Sequence, residues 1–405
     1  MRIMIVTDQY PPMSGGVPTV TQDLAREFAK RGHEVSVAAP SYGTYDVMNI
    51  DQNVHIHRFS SIEWPAWKGV RIPLLPYKEM RELLVQRNPD IVHIHMPMVL
   101  GQIAQTVAHT LGKPVVLTNH SLPMNISYSL MKDPLLGKQF SSIAYSYLVN
   151  FSNRCEYVTA PTMTALTLLY EHGLRAPASV ISNGIDLKTF KPGEADRETM
   201  QHYKLPEDRP LLIHVNRLAK EKRVDVLLDA VARINRPMHL ALLGTGPEEI
   251  ELREQVEHLQ ISDRVSFLGF VRGEKLLALL RSARLFVIPS EADTQSLATM
   301  EAMACGLPIV AADAYALPEL VDHGNNGLLF QPGESRELAG ALNYLLENEA
   351  ECKRMGQESL HIIGHHDRKL VLDEWEKLYL SLSSKRKRAS KSNLERRLLR
   401  RAALT

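Results

Sequence analysis

Two short segments concentrate the charged residues whose types and spacing could act on a phosphorylated ligand. The first, Asn216-Arg217-Leu218-Ala219-Lys220-Glu221-Lys222, directly follows the apolar run Leu211–Val215. On a loop between strand and helix, Arg217 offers a planar fork of donors and Lys222 a compact charge, so both could reach a diphosphate. The same residues also fit a solvated basic loop. The second segment, Pro289-Ser290-Glu291-Ala292-Asp293-Thr294-Gln295-Ser296-Leu297, runs on through Glu301 to Cys305. A strand ends there and a helix begins near Thr294–Ser296, which puts Asp293 at the helix mouth beside unpaired N–H groups. Glu301 falls about two turns further along. Asp293 alone fits a helix cap and Glu301 alone a surface glutamate. Ala302, Met303, Ala304 and Cys305 look buried, however, and a carboxylate in their company needs a partner such as a ligand hydroxyl.

Two further candidates follow strands. Gly15-Gly16 comes after the first apolar run and before a helix. Paired glycines there let backbone N–H groups approach a phosphate at the positive helix end, and they also fit a plain tight turn. His120 follows Val115–Thr118, where it could face a cleft or only bond the backbone, whereas His93 and His95 alternate on one strand and read as structural. No Asp-x-Asp loop, metal-spaced cluster or Gly-x-Ser-x-Gly is present. A departing diphosphate would have to be held by cationic side chains and helix N-termini in place of a metal.

The elements that must position these residues alternate along the chain. Strands are expected at Arg2–Val6, Glu34–Ala38, Val54–His57, Ile91–His95, Val115–Thr118, Tyr157–Ala160 and Ala178–Ile181, with amphipathic helices between them. The pattern restarts with Leu211–Val215, His239–Leu243, Val265–Phe267, Leu285–Ile288, Ile309–Ala311 and Gly327–Phe330. One open sheet of so many strands would be unusual, so two parallel sheets in an α/β chain are expected. The domains implied are 1–187, 188–364, a terminal helix over 365–383 returning to the first domain, and a basic tail over 384–405. Ligands of such sheets bind beyond the carboxyl ends of the strands, and two facing domains create a cleft there.

Bulk properties agree with a 405-residue globular chain of net charge +1. That balance gives no global signal for nucleic acid. The cysteines Cys155, Cys305 and Cys352 are scattered and odd in number, which suits a reducing compartment. The first apolar run, Ile3–Val6, is too short for a signal-peptide core. No stretch approaches the roughly 18–20 apolar residues of a membrane-spanning helix. From Lys385 onward, nine Lys and Arg residues face the single acid Glu395. That tail fits attraction to an anionic membrane surface, worth about 1 kcal/mol per cation, and also fits a solvated tail or a nucleic-acid contact. Two apolar stretches fit a lipid acceptor or ordinary core packing: Glu63–Leu75, with Trp64, Trp67 and Lys68, and Ile126–Leu148, with Tyr128, Met131, Lys132 and Lys138.

Taken together, the chain resembles family-4 glycosyltransferases of the GT-B fold from Met1 to about Leu382. The resemblance is carried by Gly15-Gly16, Gly32-His33-Glu34-Val35, Asn88 through His95, Asn183-Gly184-Ile185-Asp186, Arg217 with Glu221-Lys222, Gly244-Thr245-Gly246-Pro247, and Asp293 with Glu301-Ala302-Met303-Ala304. It implies two Rossmann-like domains facing across a cleft and a retaining hexosyltransferase that needs no metal or other cofactor. Arg217 and Lys222 match the diphosphate-binding pair, and Glu301 the acid that holds the donor ribose. Asp293 matches the acid beside the transferred sugar, and His120 the histidine near sugar and acceptor. Gly15, Gly16, Gln295, Ser296 and Leu297 fall where the donor is bound. Asp293 stands where Glu is usual, and Asn216, Arg223 and Ser296 replace common glycines. Asp293-Thr294-Gln295 resembles diacylglycerol glucosyltransferases and sulfolipid-type enzymes. The implied partners are a nucleotide sugar such as a UDP-sugar, a lipid acceptor and an anionic membrane surface, with a cytoplasmic, peripheral location. Transfer to a soluble or polysaccharide acceptor, and a non-catalytic nucleotide-sugar or nucleic-acid binding protein, are the alternatives.

Overall fold

The computed structural model describes residues 1–43, 48–64, 70–74, 76–120, 122 and 134–384. Continuous apolar runs build its strands. They are β1 (Arg2–Val6), β2 (Glu34–Pro40), β3 (Met48–Asp51), β4 (Val54–Phe59), β5 (Ser61–Glu63), β6 (Arg71–Pro73), β7 (Ile91–Ile94), β8 (Val115–Thr118), β9 (Tyr157–Ala160) and β10 (Ala178–Val180). The second half supplies β11 (Leu211–Val215), β12 (His239–Leu243), β13 (Val265–Gly269), β14 (Leu285–Ile288), β15 (Ile309–Ala312) and β16 (Gly327–Phe330).

Eight strands form one sheet in the order β10-β9-β8-β7-β1-β2-β4-β3, and six form a second in the order β13-β12-β11-β14-β15-β16. Only the edge strand β3 runs antiparallel in the first sheet, and every pairing in the second is parallel. Helices cover both faces, which is why central strands such as Leu285–Ile288 are apolar and buried at every position. The chain is therefore α/β with two Rossmann-like sheets, and the strand order reverses between β1 and β7 and between β11 and β14. Those two switch points are where crevices open at the carboxyl ends of strands.

Each sheet has its own core, and the end of the chain joins the first. A helix over 368–384 lays Val371, Leu372, Trp375 and Tyr379 against Ile3, Ile5, Phe28, Val35 and Val37. Burying each large apolar side chain there contributes about 1.5–3 kcal/mol. Arg31 to Asp373 at 2.6 Å and His33 to Glu376 at 2.9 Å fix the helix at its rim.

The chain crosses between the halves at 182–190 and again at 364–368, and the two crossings pair. Ile185 N–H donates to His366 O and Arg368 N–H to Ile185 O, both at 2.9 Å. Gly184, at φ 73°, sits where a Cβ would come within 3.2 Å of the Arg368 backbone, so the close approach requires a glycine.

Several elements were not legible in the sequence. β3 and the β5–β6 hairpin, the short helix Arg197–His202 and the sixteen-residue helix Glu349–Gly364 are additions. The stretch Glu63–Leu75 contains the second strand of that hairpin, but Trp67 and Lys68 lie outside the described residues. So do Tyr128, Met131, Lys132 and the tail from Lys385. From Pro134 to Ser152 the other apolar stretch is a helix. No described helix is long and apolar enough to cross a membrane.

Candidate functional site

The loops after β11 and β14 lie side by side because their strands are neighbours, and Glu291 N–H donates to Glu221 O at 3.0 Å. Lys222 ends a short 3-10 turn, Lys220–Lys222, and is largely buried. Its ammonium donates to Asp293 Oδ1 at 2.8 Å, with longer contacts to Ser290 Oγ at 3.4 Å and Ala292 O at 3.5 Å. Arg217 donates to Glu221 Oε1 at 2.5 Å while remaining partly exposed. Glu221 Oε2 and Asp293 Oδ2 are buried without a hydrogen-bond partner. Such orphaned carboxylate oxygens in a native crevice call for a ligand or water.

The glycines Gly244 and Gly246 explain how the loop after β12 reaches this corner. A Cβ at Gly244 would lie 1.9 Å from Asn216 O, and one at Gly246 2.0 Å from Leu218 O. Arg223, at φ 49° and ψ 41°, adopts the left-handed conformation that a glycine takes freely. Its guanidinium offsets that strain by pairing with Glu291 and, at 3.2 Å, with Asp225.

Ser296, not Asp293, caps the helix Leu297–Ala304, accepting from Thr299 N–H at 3.2 Å. Asp293 is thereby left to hold Lys222. On the helix, Glu301 is partly buried, and burial, reinforced by the negative charge of Asp23 and opposed by Arg368, pushes its carboxyl up to about 8. Asp23 belongs to the helix Gly16–Lys30 of the first half and is itself bonded to Arg368 at 2.8 Å. Gly15 precedes that helix at φ 144°, so the turn needs a glycine, and the peptide N–H groups of Gly16 and Val17 open its first turn. Pro18 has none to offer.

His120, just beyond β8, faces this corner from the first half of the chain. Its Nε2 lies 2.9 Å from His95 Nδ1, with the two rings stacked at 9°. Desolvation lowers its pKa to about 4, so the ring is neutral at physiological pH. Thr294 Oγ1 donates to His120 O at 3.2 Å, and Thr162 Oγ1 donates to Thr294 O at 2.7 Å. Gln295 turns its amide away from the loop. It accepts from Asn183 N–H at 2.8 Å and donates to Ser182 Oγ at 3.1 Å and Pro161 O at 3.2 Å. Glu319 reaches over from the second half to accept from Met163 N–H and Thr164 N–H at 2.8 and 2.6 Å. Those groups open the helix Met163–Glu171, where a carboxylate is favoured by the helix dipole.

Lys222, Asp293 and His120 are thus brought together by direct contacts or by Thr294 between them, with Arg217 on the adjoining turn. Glu301 lies on the next helix, close enough to the helix after Gly15-Gly16 to feel Asp23. The amide of Gln295 and the hydroxyl of Ser296 are engaged in protein contacts. Sequence reasoning missed Glu221 as the partner of Arg217, because the two meet across a loop leading into the turn Lys220–Lys222 and not along a helix. His95, Thr294 and Glu319 were also missed. His93 has a core role, bonded to Tyr379 OH and Thr118 Oγ1 at 2.6 Å each. Among the described residues no group of three His, Cys, Asp or Glu is placed to hold a metal.

Comparison with known proteins bears on this geometry. Residues 14–189 match Glycosyltransferase Family 4 and residues 195–361 match Glycosyl transferases group 1. N-acetyl-alpha-D-glucosaminyl L-malate synthase of Bacillus anthracis is 26% identical over 388 residues, covering 94% of this chain and 97% of its own. Alpha-monoglucosyldiacylglycerol synthase of Streptococcus pneumoniae is 28% identical, covering 84% of this chain and 77% of its own. Among solved structures, Anabaena HepE in complex with UDP-glucose superposes with a TM-score of 0.77 at 23% identity, covering 94% of this chain and 99% of that one. Sucrose-phosphate synthase of Thermosynechococcus elongatus gives 0.78 at 19% identity, covering 95% and 100%. These structural likenesses establish the GT-B arrangement of the two sheets.

Proposed function

Because the chain belongs to the glycosyltransferases that join a family 4 half to a group 1 half, we propose that it transfers a hexose from a UDP-sugar to a lipid acceptor such as diacylglycerol, with retained anomeric configuration. The bond between the sugar's anomeric carbon and the diphosphate breaks. The acceptor hydroxyl attacks from the same face, and its proton passes to the departing phosphate oxygen.

Arg217, Lys222 and the N–H groups opening the helices Gly16–Lys30 and Leu297–Ala304 hold the diphosphate charge, in place of a metal. An ammonium has three N–H donors. Asp293 takes one at 2.8 Å, and the contacts to Ser290 Oγ and Ala292 O are long, so two remain for phosphate oxygens. Glu301 takes the ribose hydroxyls, and Asp293 and His120 flank the sugar. The observation that carries this reading is the meeting of Lys222 and Asp293 from one half with His120 from the other, tied through Thr294.

A lipid acceptor is supported by the helix Pro134–Ser152. Leu136, Ile143 and Tyr147, spaced along one helical stripe, are each about half exposed or more. The Streptococcus relative named for diacylglycerol supports it too. The basic tail would add electrostatic attraction at the cytoplasmic membrane face. The Bacillus relative named for L-malate favours a soluble acceptor as the second reading.

Nucleotide sugars screened by thermal shift, followed by product analysis with diacylglycerol in mixed micelles, test the assignment. Glucosylated lipid is expected. Transfer only to a soluble acceptor overturns the lipid reading, and donor turnover at background overturns the enzyme. Ile143→Glu and deletion of 385–405 should each weaken sedimentation with anionic vesicles while leaving detergent activity intact.

A further inference from the structure

Three histidines stand at the carboxyl ends of β7 and β8, and their protons can be placed by accounting for hydrogen bonds. Tyr379 OH is fully buried and meets His93 Nδ1 at 2.6 Å. The phenol donates, so His93 carries its proton on Nε2, which donates to Thr118 Oγ1 at 2.6 Å. The Thr118 hydroxyl then bonds Thr159 Oγ1 at 2.7 Å. Both nitrogens of His93 are therefore engaged, and neither can serve His95, although the two rings are only 4.0 Å apart.

His95 is 1% exposed and shares one bond, from its Nδ1 to His120 Nε2 at 2.9 Å, while its own Nε2 is buried with no partner. Two neutral arrangements satisfy that bond. Were His120 the donor, His95 would bury an N–H with no acceptor. Were His95 the donor, it would bury only a bare lone pair. An unmet buried N–H is the rarer and costlier outcome. Protonating His95 would add the same unmet N–H.

We propose that His95 is a positioning residue that donates from Nδ1 to His120 and so fixes His120 as its Nδ1–H tautomer. The free nitrogen of His120, which has no partner among the described residues, is then a hydrogen-bond donor offered to the sugar or acceptor and not a base for the acceptor proton. This rests on the placement of His120 beside the transferred sugar. Neighbouring titratable groups do not change the count. His93 is neutral, and Tyr379, its phenol held well above its usual range by burial, stays protonated.

The test is long-range proton–nitrogen NMR of the full chain labelled with nitrogen-15 histidine, assigned with His120→Gln. In the wild type His120 should carry its proton on Nδ1 with Nε2 bare. In His95→Phe it should move toward the Nε2–H form, and in His95→Asn, which keeps an N–H near the lost Nδ1, it should stay. In parallel, His95→Phe should lower kcat about tenfold, the order of one lost hydrogen bond, with donor KM within about twofold. His95→Asn should restore most of the rate. A proton on His120 Nε2 in the wild type, or a tautomer unchanged in a folded His95→Phe, overturns the assignment. The wild-type spectrum decides the matter even if the Phe variant fails to fold. The Nδ1–H tautomer in a protein that turns over no nucleotide sugar would sink the transferase reading and leave the role of His95 standing.

Discussion

Replacing Lys222 with methionine keeps the side-chain volume near Ser290 and removes the charge with its N–H donors. If a diphosphate oxygen takes up Lys222 in the crevice, a unit charge pair about 4 Å apart at an effective dielectric near 20 is worth about 4 kcal/mol. That corresponds to about a thousandfold in rate, and about thirtyfold if water in the open cleft screens half of it. The substitution also strands Asp293, whose side chain is only 14% exposed and, among the described residues, has just Lys222 as its ion-pair partner. Removing one member of a fully buried pair costs about 3–5 kcal/mol, and the residual exposure here lowers that to about 2–3. The two effects separate in the double variant Lys222→Met with Asp293→Asn, which should recover most of the stability and none of the turnover. Urea denaturation reads the first and initial rates of sugar release from the donor the second. A folded Lys222→Met within about threefold of wild-type turnover would refute the idea that this cation holds the leaving group.

Two further outcomes follow from buried carboxylates. Glu301, pushed up to about 8 by burial and by Asp23, holds a proton in the folded chain that the unfolded chain gives up near pH 4. Its stabilising contribution is complete below that pH and is lost as pH rises through 8. Glu301→Gln should therefore melt close to the wild type near pH 4 and increasingly above it up to pH 8.5, and a difference independent of pH would contradict this. Glu319→Ala removes the carboxylate that accepts from Met163 and Thr164 across the two halves. It should cost about 1 kcal/mol of stability and raise donor KM several-fold, as the two halves that meet at the site lose a tie between them. An unchanged KM would show that this contact does not help shape the donor site.

The limits of sequence reasoning have particular physical causes. Strands such as Leu285–Ile288 are legible because both faces are buried, so every position is apolar. The helix Glu349–Gly364 is not, because much of its sequence is polar and it seats on the turn after the helix Leu297–Ala304 through a glycine. A Cβ at Gly356 would lie 2.1 Å from Gly306 O, a close approach that no periodicity reveals. β3 and the β5–β6 hairpin are short and lie at an edge or outside the main sheets, where alternation is too brief to register.

The site divides in the same way. As candidates, Arg217, Lys222, Asp293 and His120 could be picked out from the chain alone, because in an α/β protein the residues after strands gather at one end of the sheet, and Glu301 because its neighbours are apolar. Their partners could not. His95 meets His120 across neighbouring strands, Thr294 meets His120 across 174 positions, and Glu319 meets Met163 across 156. Local sequence determines which backbone groups and charges arrive at the strand ends. Which of them touch, which proton sits on which nitrogen and which carboxylate is left unpaired depend on packing between elements distant in the chain, and only the tertiary structure decides that.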